Sequence, residues 1–368
     1  MRLNPLPSCR SRLDSNANLY KDVTMFSAAV KKQQPAWLPA GSSLFGLAQA
    51  VHPGGSLSDW IKRGRIMLRL CLFRHYHRQV RAIFHEHPLR QIVFANPRIY
   101  EKIYREYLFR GAPLTERLRL LDAHYRFVRK AFDSSSIRSI YVLHNLPLCS
   151  IPLSGGAEQV FARLAYRDRF EKEGELTLEL HDNTGRRLYS ISFSVRPSDG
   201  SHAALIGCIV GPPAASSPEE QRPLTIKGLT KGMHGMRPKN LVFFLLQALC
   251  RHLGVGEILA VGSDSHVYGG CLKKRGQIRF DYDLFWEELG GRRAQEDRTL
   301  FSLPLHHPKR LPGEMRANKR ASYLRRYTFL DDLEAQVQLS CVGWGQSVVP
   351  AGPGPACPPE LDTLVDAA

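Results

Sequence analysis

Three stretches of the 368-residue chain bring together side chains able to do chemistry. The first is His234-Gly235-Met236-Arg237-Pro238-Lys239, which leads into the apolar run Leu241–Cys250. Proline suits the first position of a helix, so Gly235 to Lys239 surround a helix start, where unpaired N–H groups and the positive end of the dipole gather. With Arg237 and Lys239 adding formal charge, such a start suits a phosphate, pyrophosphate or carboxylate. The plainer alternative is a solvated helix end whose long side chains cover apolar surface. The second stretch, Ser263-Asp264-Ser265-His266-Val267-Tyr268, follows the buried strand expected at Glu257–Val261, and open sheets bind ligands just beyond strand C-termini. Asp264 and His266, with His234, are candidate bases, and Tyr268 offers a hydroxyl. A polar turn that satisfies its own backbone is the competing reading. The third, Asp281-Tyr282-Asp283-Leu284-Phe285-Trp286-Glu287-Glu288-Leu289-Gly290-Gly291, offers Asp283, Glu287 and Glu288 as bases, although its acidic first turn also simply complements a helix dipole. No G-x-S-x-G, H-E-x-x-H or C-x-x-C occurs, and His75/His77 and His85/His87 stand two apart, on different sides of a helix. Serine hydrolysis is therefore not expected, and no metal site is.

The elements that must position these residues follow from periodicity and breakers. Residues 1–55, rich in Pro, Ser, Gly and Asn, read as a weakly ordered leader ending at His52-Pro53-Gly54-Gly55. Residues 56–135 read as a basic helical region. Residues 136–335 alternate strands with helices: strands at Ile137–Leu143, Gln159–Tyr166, Leu176–Leu180, Leu188–Val195, Ala203–Val210, Glu257–Val261 and Leu300–Leu305, with Asp182-Asn183-Thr184-Gly185 as a hairpin turn. Helices are expected at Pro238–Leu253, stopped by Gly254, at Tyr282–Leu289, and at Glu314–Leu333. Residues 336–368 read as a disordered tail. The fold class is α+β: an N-terminal helical region, then a mixed, mostly antiparallel sheet with helices.

Composition bounds the partners. Lys plus Arg is 51 against 34 for Asp plus Glu, a formal charge of +17, and the first 150 residues hold 24 basic and 9 acidic side chains. A polyanion, membrane surface or nucleic acid, meets this half first. A helical wheel through Trp60–Phe84 gathers Arg63, Arg74, Arg78 and Arg81 nearly opposite Ile61, Leu68, Leu72, Tyr76 and Ile83, which fits a lipid-surface helix or a packed helix with a basic outer side. Arg316, Lys319, Arg320, Tyr323, Arg325, Arg326 and Tyr327 interleave cations with rings, to grip a polyanion or to pack on the sheet. The eight cysteines form no close pairs and read as free thiols. Leu241–Cys250 is half the roughly 20 residues of a membrane span, the first 30 residues lack an apolar signal core, and Met25 is an alternative start.

Taken together, His234-x-x-Arg237-Pro238-Lys239, Ser263 to Tyr268, Asp281-Tyr282-Asp283-x-Phe285-Trp286-x-Glu288-Leu289-Gly290-Gly291 and Lys319-Arg320-x-x-Tyr323-x-Arg325-Arg326-Tyr327 resemble the VirK/YbjX family over residues 60–335. The resemblance implies a protein of Gram-negative bacteria tied to virulence, envelope stress and resistance to cationic antimicrobial peptides, with no known reaction. The antiparallel strands, the helix start at Arg237 and Phe285-Trp286-Glu287-Glu288-Leu289-Gly290 also resemble the GNAT-type acyltransferases, which implies a GNAT-like fold and an acyl-CoA whose pyrophosphate sits on Gly235, Arg237 and Lys239. This sequence departs from that pattern twice. Gly235 stands alone where those enzymes have a glycine-rich loop, and Trp286 occupies a position where many carry a catalytic tyrosine, so Tyr268 or Tyr282 would substitute. The expectation is a cytoplasmic, acyltransferase-like protein at the inner-membrane face, with an acyl donor and an anionic membrane surface as partners. The alternative is a nonenzymatic RNA- or partner-binding protein that uses the basic N-terminal half.

Overall fold

The computed structural model describes residues 44–155, 159–212, 226–269, 281–309, 313 and 315–345. The chain divides into two compact units, Met1–Gly64 and Arg65–Ala368. In the first, helix α1 (Leu44–Val51) buries Leu47, Ala48 and Val51, so helical structure begins within the stretch expected as a leader. Residues 1–43 of that expected leader lie outside the described residues. Helix α2 (Leu57–Leu72) starts on a reciprocal Ser56/Asp59 cap, in which Asp59 N–H donates to Ser56 Oγ at 3.2 Å and Ser56 N–H to Asp59 Oδ2 at 3.2 Å. α2 stops at Leu72 and α3 (Arg74–Ile83) starts anew after Phe73, so the single wheel drawn through Trp60–Phe84 does not exist. Arg63, expected on its solvated basic side, is buried and donates Nε–H to the His52 carbonyl at 2.8 Å.

In the second unit α4 (Arg90–Ala95), a 3-10 helix (Pro97–Tyr104), α5 (Leu114–Ala131) and α6 (Ser134–Tyr141) precede the sheet. α6 corrects the strand expected at Ile137–Leu143. Asp133 caps it by accepting the Ser136 N–H at 2.7 Å, and Ile137, Ile140 and Tyr141 are buried at helical spacing. The strands are β1 (Leu146–Pro152), β2 (Gln159–Ala165), β3 (Leu176–Asp182), β4 (Arg187–Ser198), β5 (Ser201–Val210), β6 (Glu257–Val261), β7 (Arg292–Arg293) and β8 (Leu300–Leu303). They form one eight-stranded sheet in the order β1-β2-β3-β4-β5-β6-β8-β7. Only β5 and β6 run parallel among these strands. Their connection carries α7 (Ile226–Gly232) and α8 (Pro238–His252). α9 (Tyr282–Glu288) follows β6, and α10 (Ala317–Gly343) closes the described chain. The layout is the expected α+β one, with N-terminal helices followed by a mixed and mostly antiparallel sheet.

Alternation along β3 separates two faces. Leu176, Leu178 and Leu180 lie opposite Phe193, Ile191 and Tyr189 of β4, whereas Thr177 and Glu179 lie opposite Ser192 and Ser190. The polar set, extended by Glu175 and Ser194, turns toward α5 and the 3-10 helix. There Lys102 Nζ meets Glu175 Oε1 at 2.5 Å, Tyr125 donates its hydroxyl to Glu175 Oε2 at 2.8 Å, and Tyr107 and Ser194 share a 3.2 Å hydrogen bond. α8, apolar nearly all round, packs on β3, β4 and β6. α10 lies against α8 and β1, and runs past Leu333 because Val337 and Cys341 continue its buried stripe. Its Gln336 Oε1 accepts the Ser150 N–H at 3.1 Å and its Ser340 hydroxyl donates to the Leu148 carbonyl at 2.6 Å.

Candidate functional site

β5 and β6 pair only from Ala203/Glu257 to Ile206/Ala260. Beyond that point β5 carries a bulge, because Ser192 of β4 faces Cys208 and the next residue, Phe193, faces Ile206, leaving Gly207 unpaired. Pairing between the two parallel strands stops at this point, a gap in the ladder at their C-terminal ends, the part of an open sheet where ligands bind. Gly207 must be glycine, since a Cβ there would run into the carbonyl group of Glu173.

Four residues expected from the sequence converge beyond this gap. His266 stacks on Tyr282 with ring centroids 5.0 Å apart at 16°, and lies 5.9 Å from Tyr268. Asp264 belongs to the same loop and is exposed. Ser263 ties the loop to α9: its hydroxyl accepts the Tyr282 N–H at 3.1 Å, and its own N–H donates to Asp283 Oδ1 at 2.7 Å. The Tyr268 N–H donates to His266 Nδ1 at 3.3 Å, so the neutral ring carries its hydrogen on Nε2, which is buried without a partner among the described residues. Burial pushes His266 down to about 4, so the ring stays neutral at physiological pH and is a poor base.

The sequence reasoning missed Glu173 and Cys208. Glu173 is 6% exposed and its Oε2 is likewise buried without a partner among the described residues. Burial raises its carboxyl to about 7, while Lys172 pulls the other way. The Tyr268 hydroxyl is pushed up to about 12, first by burial and then by the charge of Glu173. Burial, then Cys208 and Glu173, raise Tyr282 well above the ordinary phenol range, and burial with Glu173 does the same for the Cys208 thiol. Lys172 Nζ sits 4.9 Å over the Tyr268 ring. Near these strand ends thus stand a carboxyl able to exchange a proton near neutrality, a buried imidazole N–H and two protonated phenols.

The other expected cluster lies at the far end of α9. Tyr282 opens that helix and Glu288, about 9 Å along it at 1.5 Å per residue, takes Lys239 Nζ at 2.8 Å. Lys239 also lies 4.4 Å over Phe285. Arg237 is exposed at the N-cap of α8, with no side-chain cap. The amides of Gly235 and Met236 are spent within their own turn on Thr230 and Met233 carbonyls. The His234 ring packs 5.2 Å from Phe329, and its carbonyl accepts from Arg326 at 2.9 Å. Trp286, buried, donates its indole N–H to the end of β6 at the Val261 carbonyl, a structural bond. On α10, Arg326 covers Tyr323 and Lys309 covers Tyr327. No group of three His, Cys, Asp or Glu able to hold a metal occurs among the described residues, and no described helix is long and apolar enough to cross a membrane.

A mixed, mostly antiparallel sheet with a buried acid, an imidazole and phenols gathered near the ends of its parallel pair defines an α+β protein. The chain belongs to the family described as "Protein of unknown function (DUF535)", whose model matches residues 55–339. It is similar to the uncharacterized protein YbjX of Escherichia coli K12, at 27% identity over 78% of this chain and 83% of the relative. It is also similar to an uncharacterized protein of Haemophilus influenzae, at 28% identity over 58% of this chain and 73% of that one. Among solved structures it overlaps a mutant of a cAMP-binding acyltransferase from Mycobacterium smegmatis, at a TM-score of 0.28 and 9% identity. That overlap covers 64% of this chain and 62% of the other, and carries no argument about function.

Proposed function

We propose that the C-terminal ends of β5 and β6 form a cleft that is an acyl-transfer site and takes its acyl group from a coenzyme A thioester. The observation that carries this reading is the near-neutral carboxyl of Glu173, whose Oε2 is buried without a partner among the described residues, on a residue whose main chain touches the bulge at Gly207. In this reading an acceptor amine or hydroxyl attacks the thioester carbonyl and gives its proton to Glu173 as the new C–N or C–O bond forms. His266 Nε2–H donates to the carbonyl oxygen as negative charge builds there, a role for which its neutral form and its free N–H suit it. The C–S bond then breaks, and the departing thiolate takes a proton through the Tyr268 hydroxyl as the proton gained by Glu173 replaces it, which returns both groups to their starting states, with Tyr282 holding His266 flat. Arg237 and Arg326, which flank Gly235, face the anionic end of the donor. Acetyl-coenzyme A in 100-fold excess over its dissociation constant should stabilise the full chain by about 2.7 kcal/mol, read as a rise in melting temperature. Glu173→Gln should keep that rise and lose release of the free coenzyme thiol at least about 100-fold. No rise at millimolar acetyl-coenzyme A would remove the reading.

A second, compatible reading rests on a separate surface. In the second unit Leu68, Leu72 and Phe73 of α2 and its end are exposed, Leu68 at 59% and Leu72 at 68%, while Ile66 and Leu70 are buried. Arg65 flanks the exposed leucines. Apolar side chains aimed outward beside cations suit the headgroup boundary of an anionic bilayer, and the inner face of the envelope, with the stress and virulence setting the family resemblance implies, is the place this reading gives the protein. The protein should float with vesicles containing about 30% anionic lipid, and Leu68→Ser with Leu72→Ser should lower its recovery at least about tenfold. Equal recovery on neutral and anionic vesicles would count against it.

A further inference from the structure

On the polar face of the sheet, beside the cleft, a second feature has no role in the transfer chemistry. Arg187, the first residue of β4, is 9% exposed. Its Nη1 donates to Ser190 Oγ at 2.7 Å and to the carbonyl of Val210, the last residue of β5, at 3.4 Å. Its Nη2 is buried without a partner among the described residues. A guanidinium carries five N–H donors and keeps its charge, so a buried nitrogen with two unused hydrogens is costly unless an acceptor arrives.

Among the described residues no carboxylate pairs with this nitrogen, and a second cation lies beside it. Arg169 and Arg187 share the ring of Phe170, at 4.8 Å and 5.8 Å from its centroid. Glu179, a buried carboxylate on this face, is already taken by Arg163, Arg167 and His181, with Arg167 Nη2 at 2.6 Å and His181 Nε2 at 3.0 Å. Arg187, Arg169 and Glu173 are also the charges that bear on Cys208, which places the guanidinium pair at the same end of β5 as the proposed base.

We infer that Arg187, assisted by Arg169, is an oxyanion subsite that holds a carboxylate or phosphate group of the acyl acceptor. This rests on the transfer reading for the word acceptor, but the subsite itself stands on the buried guanidinium. A guanidinium suits either oxyanion, and Arg187 is fixed in place by Ser190 and the Val210 carbonyl before anything binds, with the charge of Arg169 across the Phe170 ring.

The experiment is isothermal titration of the full chain with glutarate and, separately, with inorganic phosphate, at constant ionic strength and without any acyl donor. Saturable binding of at least one is expected, and the better-bound probe tells carboxylate from phosphate. Arg187→Met should weaken it by roughly 10- to 100-fold, the loss of one charge-assisted hydrogen bond in a buried site. Because Arg187→Met alters a buried position, Arg169→Ala, at an exposed one, serves as the second variant and should weaken binding about tenfold while leaving the melting temperature unchanged. Binding that neither variant alters, or no saturable binding of either probe, overturns the subsite. A melting rise with acetyl-coenzyme A would survive that outcome, so the failure of the subsite and of the transfer site can be told apart.

Discussion

Replacing Lys102 by methionine is expected to cost the protein about 3–5 kcal/mol of stability, measured by denaturant unfolding at neutral pH. Lys102 and Glu175 are 5% and 0% exposed, and the pair is boxed by the rings of Tyr107, Tyr125 and Tyr166. Deleting the ammonium strands a buried carboxylate that keeps phenol partners, Tyr125 at 2.8 Å and Tyr107, but no cation. The same reasoning predicts that Lys102→Met combined with Glu175→Gln recovers more than half of the loss, because the amide keeps the Tyr125 bond without a charge. A single-variant cost below about 1 kcal/mol would mean that the pair is solvated in a way its burial denies.

The second large effect has the opposite sign. Glu173→Gln should make the protein more stable than the wild type, and only above mildly acidic pH. The folded-state carboxyl titrates at about 7, above its ordinary value of 4.5, because burial disfavours the charge. Below about 4.5 both states are neutral there and the substitution changes little. As the pH rises from 4.5 to 7 the unfolded chain ionises first, so the wild type loses stability that the glutamine variant keeps. At roughly 1.4 kcal/mol per pH unit the gap grows to at most about 3 kcal/mol and is level above pH 7. Melting curves of the two proteins at pH 4, 6 and 8 read it directly, and parallel curves would refute it. A residue that costs stability in its working state is what a site for chemistry, rather than for architecture, contains.

Much of the frame was legible in the sequence wherever a local rule and the tertiary environment agreed. Pro238 and Gly254 bracket α8 because proline fits a first helical turn and Gly254 adopts φ +68° after the last one. The β3–β4 hairpin follows from Asp182, whose Oδ1 accepts the Thr184 and Arg186 N–H groups, and from Gly185 at φ +81°. Ile137–Leu143 misled because β-branched residues resemble a strand, while the cap at Asp133 and the packing of α6 on β1 and β2 made it helical. β1 was hidden by Pro147 and Pro152, which an edge strand tolerates.

The site was legible by halves. Asp264, His266, Tyr268 and Tyr282 stand out because they follow a buried apolar strand. Glu173 does not, since Glu171-Lys172-Glu173 reads as any solvated turn; its burial comes from the fold, where the bulge in β5, 34 residues later, touches its main chain. Gly174 and Gly207 were the available signals: a Cβ on either would strike backbone, at Phe193 and at Glu173. Arg187 was masked in the same way by Arg186 beside it, a pair that looks like an ordinary charged hairpin end.

The side chains that α10 lays on β1 have a consequence for the company this chain keeps. An outermost strand with vacant amides is a template on which other polypeptides can polymerise. Gln336 and Ser340 occupy groups of β1 that would otherwise recruit a neighbour, and at the opposite rim β7 is two exposed arginines long, too short and too charged to be copied. The C-terminal helix therefore works as a safeguard against fibril growth as well as a piece of the core.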